Sequence, residues 1–335
     1  MILDLSSLER LTRGVVKIEN KREAFQFYRF NDAEMEHYAP TNHLKKSYAT
    51  AGVEICALTD ATAVSIAGKV RPGSSRSYFS FDILVDGELC GEIKNFEHEK
   101  LIPDYTELPL DLGEFSGRVE LVEGKKELRI VFPWSVAPDI YEIELVGASF
   151  IDPIPSSCKM LIYGDSITQG YDAENPSRSY ASQLARALNA DAINKGIGGE
   201  RFSPALSSIK NDNDPDIITV AYGTNDWSRL SMPDVVRNAS AFYSSLAEHY
   251  PKAKIFAISP VWREILGEPD YLETFMQVSK LIESIAARHD NITHIEGIDL
   301  IPHDTANYAD VRLHPRNIGF DHYADNLIKK IKELL

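Results

Sequence analysis

Four short stretches of this chain hold residue types that suit acyl transfer. In "CKMLIYGDSITQG" (158–170) an apolar run, Met160-Leu161-Ile162-Tyr163, ends at Gly164, and Asp165 and Ser166 follow. "NKGIGGERF" (194–202), "YGTNDWS" (222–228) and "DVRLHP" (310–315) come later. An ester hydrolase needs a nucleophile, a base to take its proton, a group to orient the base, and donors for the oxyanion. Ser166 can be the nucleophile, and His314 the base, because neutral imidazole titrates near working pH. Asp310 can hold the imidazole tautomer. The backbone N–H groups of Ser166 and Gly199 and the side-chain amide of Asn225 can donate to the oxyanion. Each stretch also has an ordinary reading when taken alone. A serine after glycine is a common turn residue, Asn225-Asp226 makes a turn, and His314 before Pro315 can end a strand. "GIGGE" lacks the spacing of a dinucleotide-binding loop.

The elements that would position these residues decide between the readings. From residue 158 onward, apolar strand-like runs fall at 159–163, 191–197, 216–222, 253–259 and 292–297, with helix-period segments between them. Tyr180, Leu184 and Leu188 share one helix face. So do Phe275, Val278, Ile282 and Ile285, and so do Phe320, Tyr323, Leu327, Ile331 and Leu334. Alternating strands and helices predict a five-stranded parallel sheet covered on both faces, an α/β/α layering. Ligands of such sheets bind beyond the carboxyl ends of the strands. All four polar stretches follow strands, so all four converge on that edge.

Residues 1–150 have a different rhythm. "YEIELV" places Tyr141, Ile143 and Leu145 opposite Glu142 and Glu144, and "GRVELVEGKKELRIVF" alternates in the same way around Glu123-Gly124. Asp86-Gly87 between two apolar runs suits a tight hairpin. Short strands with hardly any helical pattern predict an all-β sandwich of jelly-roll type. "IDPIPSS" (151–157) reads as the joint, and 158–335 as the second domain.

Composition narrows the function further. Of 335 residues, 35 are Lys or Arg and 50 are Asp or Glu, a net charge of −15. That repels phosphate backbones and anionic membrane surfaces, so neither nucleic acid nor membrane is an expected partner. "MILDLSSLERLTRG" carries charges where a secretion signal needs an apolar core, and three scattered cysteines form neither a disulfide framework nor a metal set. The expectation is a cytoplasmic protein with no metal and no cofactor. Trp227 and Trp262 lie just past strand ends, where they could stack on a sugar face or pack the rim.

The blocks "GDSIT", the glycine of "GIGGE", "GTND" and "DVRLHP", in this order, resemble the SGNH (GDSL-type) hydrolase family over roughly 158–335. The resemblance implies a flavodoxin-like α/β/α fold and esterase, lipase, thioesterase or carbohydrate deacetylase activity without a metal. By that resemblance Ser166 is the nucleophile, Gly199 and Asn225 are oxyanion residues, and His314 is the base. One position departs from the pattern. The family acid sits three residues before the histidine, where this chain has Val311; Asp310 is four before. Either Asp310 still reaches, or a backbone carbonyl orients His314. A β-sandwich joined to such a domain resembles carbohydrate esterase family 2, some members of which lack a conventional acid. The expected substrate is a small-molecule or oligosaccharide ester, most simply an O-acetyl sugar. A lipid or thioester acylhydrolase and a non-catalytic carbohydrate-binding protein are the alternatives. The sequence leaves open a homo-oligomer in which a neighbouring loop completes the pocket.

Overall fold

A computed structural model describes residues 1–98, 110–310 and 312–335. Its N-terminal half is built from two antiparallel sheets. One runs Thr12–Arg13, Glu54–Thr59, Lys126–Val131, Ser80–Val85, Glu88–Lys94, with Ile151–Pro153 also paired to Glu54–Thr59. The other runs Lys17–Lys21, Ala24–Tyr28, Val136–Val146, Ala63–Pro72, Glu114–Glu120. Ile55, Ile83 and Ile130 of the first sheet meet Val64, Ile66 and Ile140 of the second in one apolar core, as sheet-on-sheet packing requires. The hairpin at Asp86-Gly87 forms with positive φ at both residues (51° and 90°).

The turn at Glu123-Gly124, with Gly124 at φ 92°, carries the chain from one sheet to the other: Glu114–Glu120 pairs with Ala63–Pro72, and Lys126–Val131 pairs within the other sheet. Two expectations for this half need correction. Tyr141 does not share the buried face of Ile143 and Leu145. A register shift between Ile140 and Glu142 turns it outward, 44% exposed, and Ile140 takes the buried place. Helices are also present, at Leu5–Leu11, Asp32–Tyr38 and Leu44–Ser47. Asp32–Tyr38 starts with a capping box between Asn31 and Glu34.

The C-terminal half is a five-stranded parallel sheet in the order Ala190–Asn194, Cys158–Gly164, Ile217–Ala221, Lys254–Ile258, Ile292–Ile295. Alternate residues of the first strand face opposite layers. Met160 and Ile162 pack with Leu184, Phe320, Tyr323 and Leu327 on one side. Leu161 and Tyr163 pack with Phe242, Leu246, Val278 and Ile282 on the other. Leu334, at the end of the last helix, is exposed rather than buried. Because the first strand lies between the second and third, the chain diverges to left and right of it. That leaves a crevice at its carboxyl end.

The two halves are fastened by buried charge. Lys195, just beyond Ala190–Asn194, donates to Glu34 Oε2 (2.6 Å) and to the Arg29 carbonyl (2.7 Å), and both Lys195 and Glu34 are fully buried. Arg29, also fully buried, donates to the carbonyls of Ala49, Asn194, Gly196 and Lys46. Removing one partner of such a pair leaves the other buried and uncompensated. Lys195→Met is therefore expected to lower unfolding stability by about 3–5 kcal/mol, measured by urea denaturation. Lys195→Met with Glu34→Leu should recover part of the loss.

Candidate active site

Ser166 opens the short helix Ser166–Gln169 directly after the strand Cys158–Gly164, and Asp165 caps it by accepting the Ile167 N–H (3.0 Å). The turn from strand to helix is tight. A Cβ on Gly164 would overlap Thr168 Oγ1 and come within 3.1 Å of the Ala221 carbonyl, so glycine is required there. The turn presents Ser166 Oγ 2.9 Å from His314 Nε2. That is the contact a nucleophile and its base need.

His314 comes from a loop closed by pairing of Tyr308 with Pro315. Inside that loop Asp310 Oδ1 accepts the N–H groups of Arg312 (3.2 Å), Leu313 (2.9 Å) and His314 (3.1 Å). Asp310 Oδ2 lies 2.9 Å from His314 Nδ1. The side chain four residues before the histidine thus reaches the ring because the loop folds around its carboxylate. Val311, the position of the family acid, lies outside the described residues.

A second carboxylate, which the sequence reading missed, faces the same ring nitrogen. Asp172 Oδ2 is 3.4 Å from His314 Nδ1. Asp172 is fully buried, with φ 66°, and is held by Arg76 of the N-terminal half through two hydrogen bonds (2.7 and 2.8 Å) and by the Tyr78 hydroxyl (3.0 Å). Tyr171 lays its ring against His314, centroids 5.3 Å apart. Asp172, Asp310 and His314 form one cluster with metal-ligand chemistry among the described residues. Arg76 and Tyr78 already occupy the Asp172 oxygens, and Ser166 faces Nε2, so the donor set suits proton transfer better than an ion.

Charge follows geometry. Burial works against the imidazolium, but hydrogen bonds and charge from Asp172 and Asp310 outweigh it and raise His314 to about 9. Burial pushes the Asp310 carboxyl upward, yet the bond to His314, its charge and the loop N–H groups hold it well below the usual carboxylate range. Burial acts likewise on Asp172, and Arg76 and His314 bring it down. Asp165 is pushed up by burial to about 6, and Asp226 to about 7.

The remaining residues divide into donors and props. Gly199 has φ 85°, the left-handed region. The N–H groups of Gly199 and Ser166 have no hydrogen-bond partner among the described residues. Asn225 is tied to the residues next to both, its amide donating to the Glu200 carbonyl (3.1 Å) and weakly to Asp165 (3.4 Å). Asp226 accepts the Phe202 N–H (3.1 Å) and so ties the two loops together. The tryptophans are engaged by protein. Trp262 is buried, with His303 stacked on its face. Trp227 donates to Thr274, meets Phe275 edge-on and lies under Arg263. These contacts correspond to the rim-packing option for both residues.

Residues 162–321 match the model of the GDSL-like Lipase/Acylhydrolase family. That match lies within the parallel-sheet half and takes in Ser166, Gly199, Asn225 and His314. Solved structures share the two-part layout. A salicylyl-acyltransferase from a tetracycline biosynthetic pathway superposes with TM-score 0.73 at 22% identity, covering 96% of this chain and 94% of its own. A family two carbohydrate esterase from Clostridium thermocellum, in complex with cellohexaose, gives 0.64 at 19%, covering 85% and 93%. An acetyl xylan esterase from the rumen bacterium Butyrivibrio proteoclasticus gives 0.62 at 15%, covering 100% and 98%. At these identities the likeness is one of fold. No curated protein matches the chain. No helix among the described residues is long and apolar enough to cross a membrane.

The two carboxylates on one imidazole set the pH response. A base must be unprotonated, and each anion beside it favours the proton. Activity of the free enzyme should therefore still be rising with pH above neutrality. Asp172→Asn removes one anion, so the acid limb of kcat/KM for 4-nitrophenyl acetate should move to lower pH. Asp310→Asn should move it the same way and also lower the plateau, because the shorter hydrogen bond goes with it. A pH–rate profile of the three proteins checks both shifts.

Proposed function

We propose that this protein is a serine esterase that removes short acyl groups, acetyl foremost, from saccharides. The observation that carries the reading is the Ser166 Oγ to His314 Nε2 contact of 2.9 Å, with carboxylates on the far side of the ring. Ser166 attacks the ester carbonyl while His314 takes its proton. The carbonyl oxygen becomes an oxyanion between the N–H groups of Ser166 and Gly199 and the Asn225 amide. Collapse expels the alcohol, which leaves with the proton from His314. Water, deprotonated by His314, then attacks the acyl-serine and releases the carboxylic acid. Asp310 fixes the tautomer with the Nδ1 proton facing away from Ser166.

The saccharide part of the reading is supported by the two carbohydrate esterases of like fold, one of them an acetyl xylan esterase. In this reading residues 1–150 form an accessory β-sandwich, 151–157 the joint and 158–335 the catalytic unit. Ile151–Pro153 hydrogen-bonds to Ala57–Thr59 as an added strand of the sandwich, so the joint begins inside that sheet.

Parallel assays of acetyl, butyryl and octanoyl 4-nitrophenyl esters test the reading. Acetyl should be the fastest, and Ser166→Ala should lose about 10⁴-fold or more in kcat. A preference for octanoyl would instead indicate a lipid or thioester acylhydrolase. Asn225→Ala should cost about 10²–10³ in kcat with a smaller change in KM, since the oxyanion exists only in the transition state.

A further inference from the structure

Cationic side chains gather on the oxyanion side of Ser166. The atoms nearest to where a Cβ on Gly199 would stand are Lys46 Nζ (3.8 Å), Arg229 Nη1 (3.9 Å) and His43 Nε2 (3.9 Å). They come from separate places in the chain. Lys46 lies in the helix Leu44–Ser47 of the N-terminal half, and its ammonium donates to the Gly198 carbonyl. Arg229 ends the helix Thr224–Arg229, four residues after Asn225, so the two share a face. His43 pairs with Glu200, 3.3 Å from Nδ1, and Glu200 also accepts the Arg201 N–H. Neither Lys46 nor Arg229 has a carboxylate partner among the described residues. Burial and the Arg229 charge push the Lys46 ammonium down from its ordinary value. A chain of net charge −15 thus holds two cations side by side with no direct ion pair to either among the described residues; the charge of the nearby Glu200, itself paired with His43, favours the Lys46 ammonium from a distance.

Lys46 also borders an open cleft of about 490 Å³, with Thr41, Asn42, Lys45, Ser74 and Ser75 as its other polar walls. Its size is that of a small-ligand site, and its walls offer hydroxyls, an amide and two ammonium groups. The cleft adjoins the catalytic centre through Tyr171. The Tyr171 hydroxyl accepts the Ser75 N–H (3.4 Å), its ring packs on His314, and a Cβ on Gly198 would come within 2.7 Å of that ring.

Resting on the esterase reading above, we infer that the alcohol part of the substrate is an anionic sugar, a uronate in the simplest case. Its hydroxyls occupy the cleft, and its carboxylate lies between Lys46 and Arg229. An ammonium and a guanidinium facing one space recognise a carboxylate by charge-assisted hydrogen bonds. The cations belong to the alcohol side because Lys46 is shared with the hydroxyl-lined cleft.

The test measures inhibition of 4-nitrophenyl acetate hydrolysis by glucuronate and by glucose at fixed ionic strength, in wild type and in Arg229→Gln. Each protein is judged by its own ratio of inhibition constants. Glucuronate should bind about tenfold more tightly than glucose in wild type, the ratio should fall toward one in the variant, and added salt should shrink it. Equal inhibition by both sugars in wild type would overturn the inference. A ratio unchanged in the variant would do the same. In a second arm, 4-nitrophenyl hydrogen succinate turned over faster than the acetate, with that advantage lost in the variant, would place the anion on the acyl side and overturn the assignment to the sugar. Acetylated methyl glucuronoside and methyl glucoside separate the two levels. If neither is hydrolysed, the deacetylase reading fails, whereas the inhibition ratio still decides the anion.

Discussion

The buried pair between Arg76 and Asp172 is the constraint on which the candidate active site depends. A carboxylate taken out of water stays ionised only when a partner compensates it. Asp172 has full burial, a strained left-handed backbone, and a place against the His314 imidazole. Arg76 supplies two of the hydrogen bonds that make this tenable and the Tyr78 hydroxyl a third, and both residues belong to the N-terminal half. The N-terminal half therefore holds in place a carboxylate that faces His314, the base of the proposed mechanism. Strain and buried charge of this kind persist where the surroundings over-determine them.

The oxyanion side is built from the same two halves. Arg29 and the Lys195–Glu34 pair tie the helical segment around residues 32–47 to the loop that follows Ala190–Asn194. That loop carries Gly199, whose N–H must hold its direction within a few tenths of an ångström to meet an oxyanion. Asp226, bound to the Phe202 N–H, holds the other end of the same loop. Donors on three loops of the parallel sheet thus keep fixed relative positions, because buried polar bonds join each loop to something rigid.

Much of this was legible in the sequence, for definite reasons. Apolar strands spaced by helix-period segments specify a parallel sheet, and the order of the four polar stretches specifies the edge they share. Ser166, Gly199, Asn225 and His314 follow strand ends, so their convergence is a matter of topology. Asp310 was legible only as one of two options, because its reach depends on a loop that folds around its own carboxylate. Asp172 carried no signal: it stands in "YDAENP", an ordinary turn, and its partner Arg76 is 96 residues away. Tyr141 misled because a bulge, invisible to a two-residue period, shifts the strand by one. Trp227 and Trp262 were legible only as two options, sugar face or rim, because position past a strand end does not say which face a ring presents.

The most direct measurement is covalent. A fluorophosphonate forms a phosphorus–oxygen bond only with an activated hydroxyl and releases fluoride as it does so. Wild type should gain one adduct per chain, located on Ser166 by peptide mass spectrometry, and His314→Asn should gain none on the same timescale. Labelling at another residue, or equal labelling of Ser166 in both proteins, would contradict a serine activated by this imidazole.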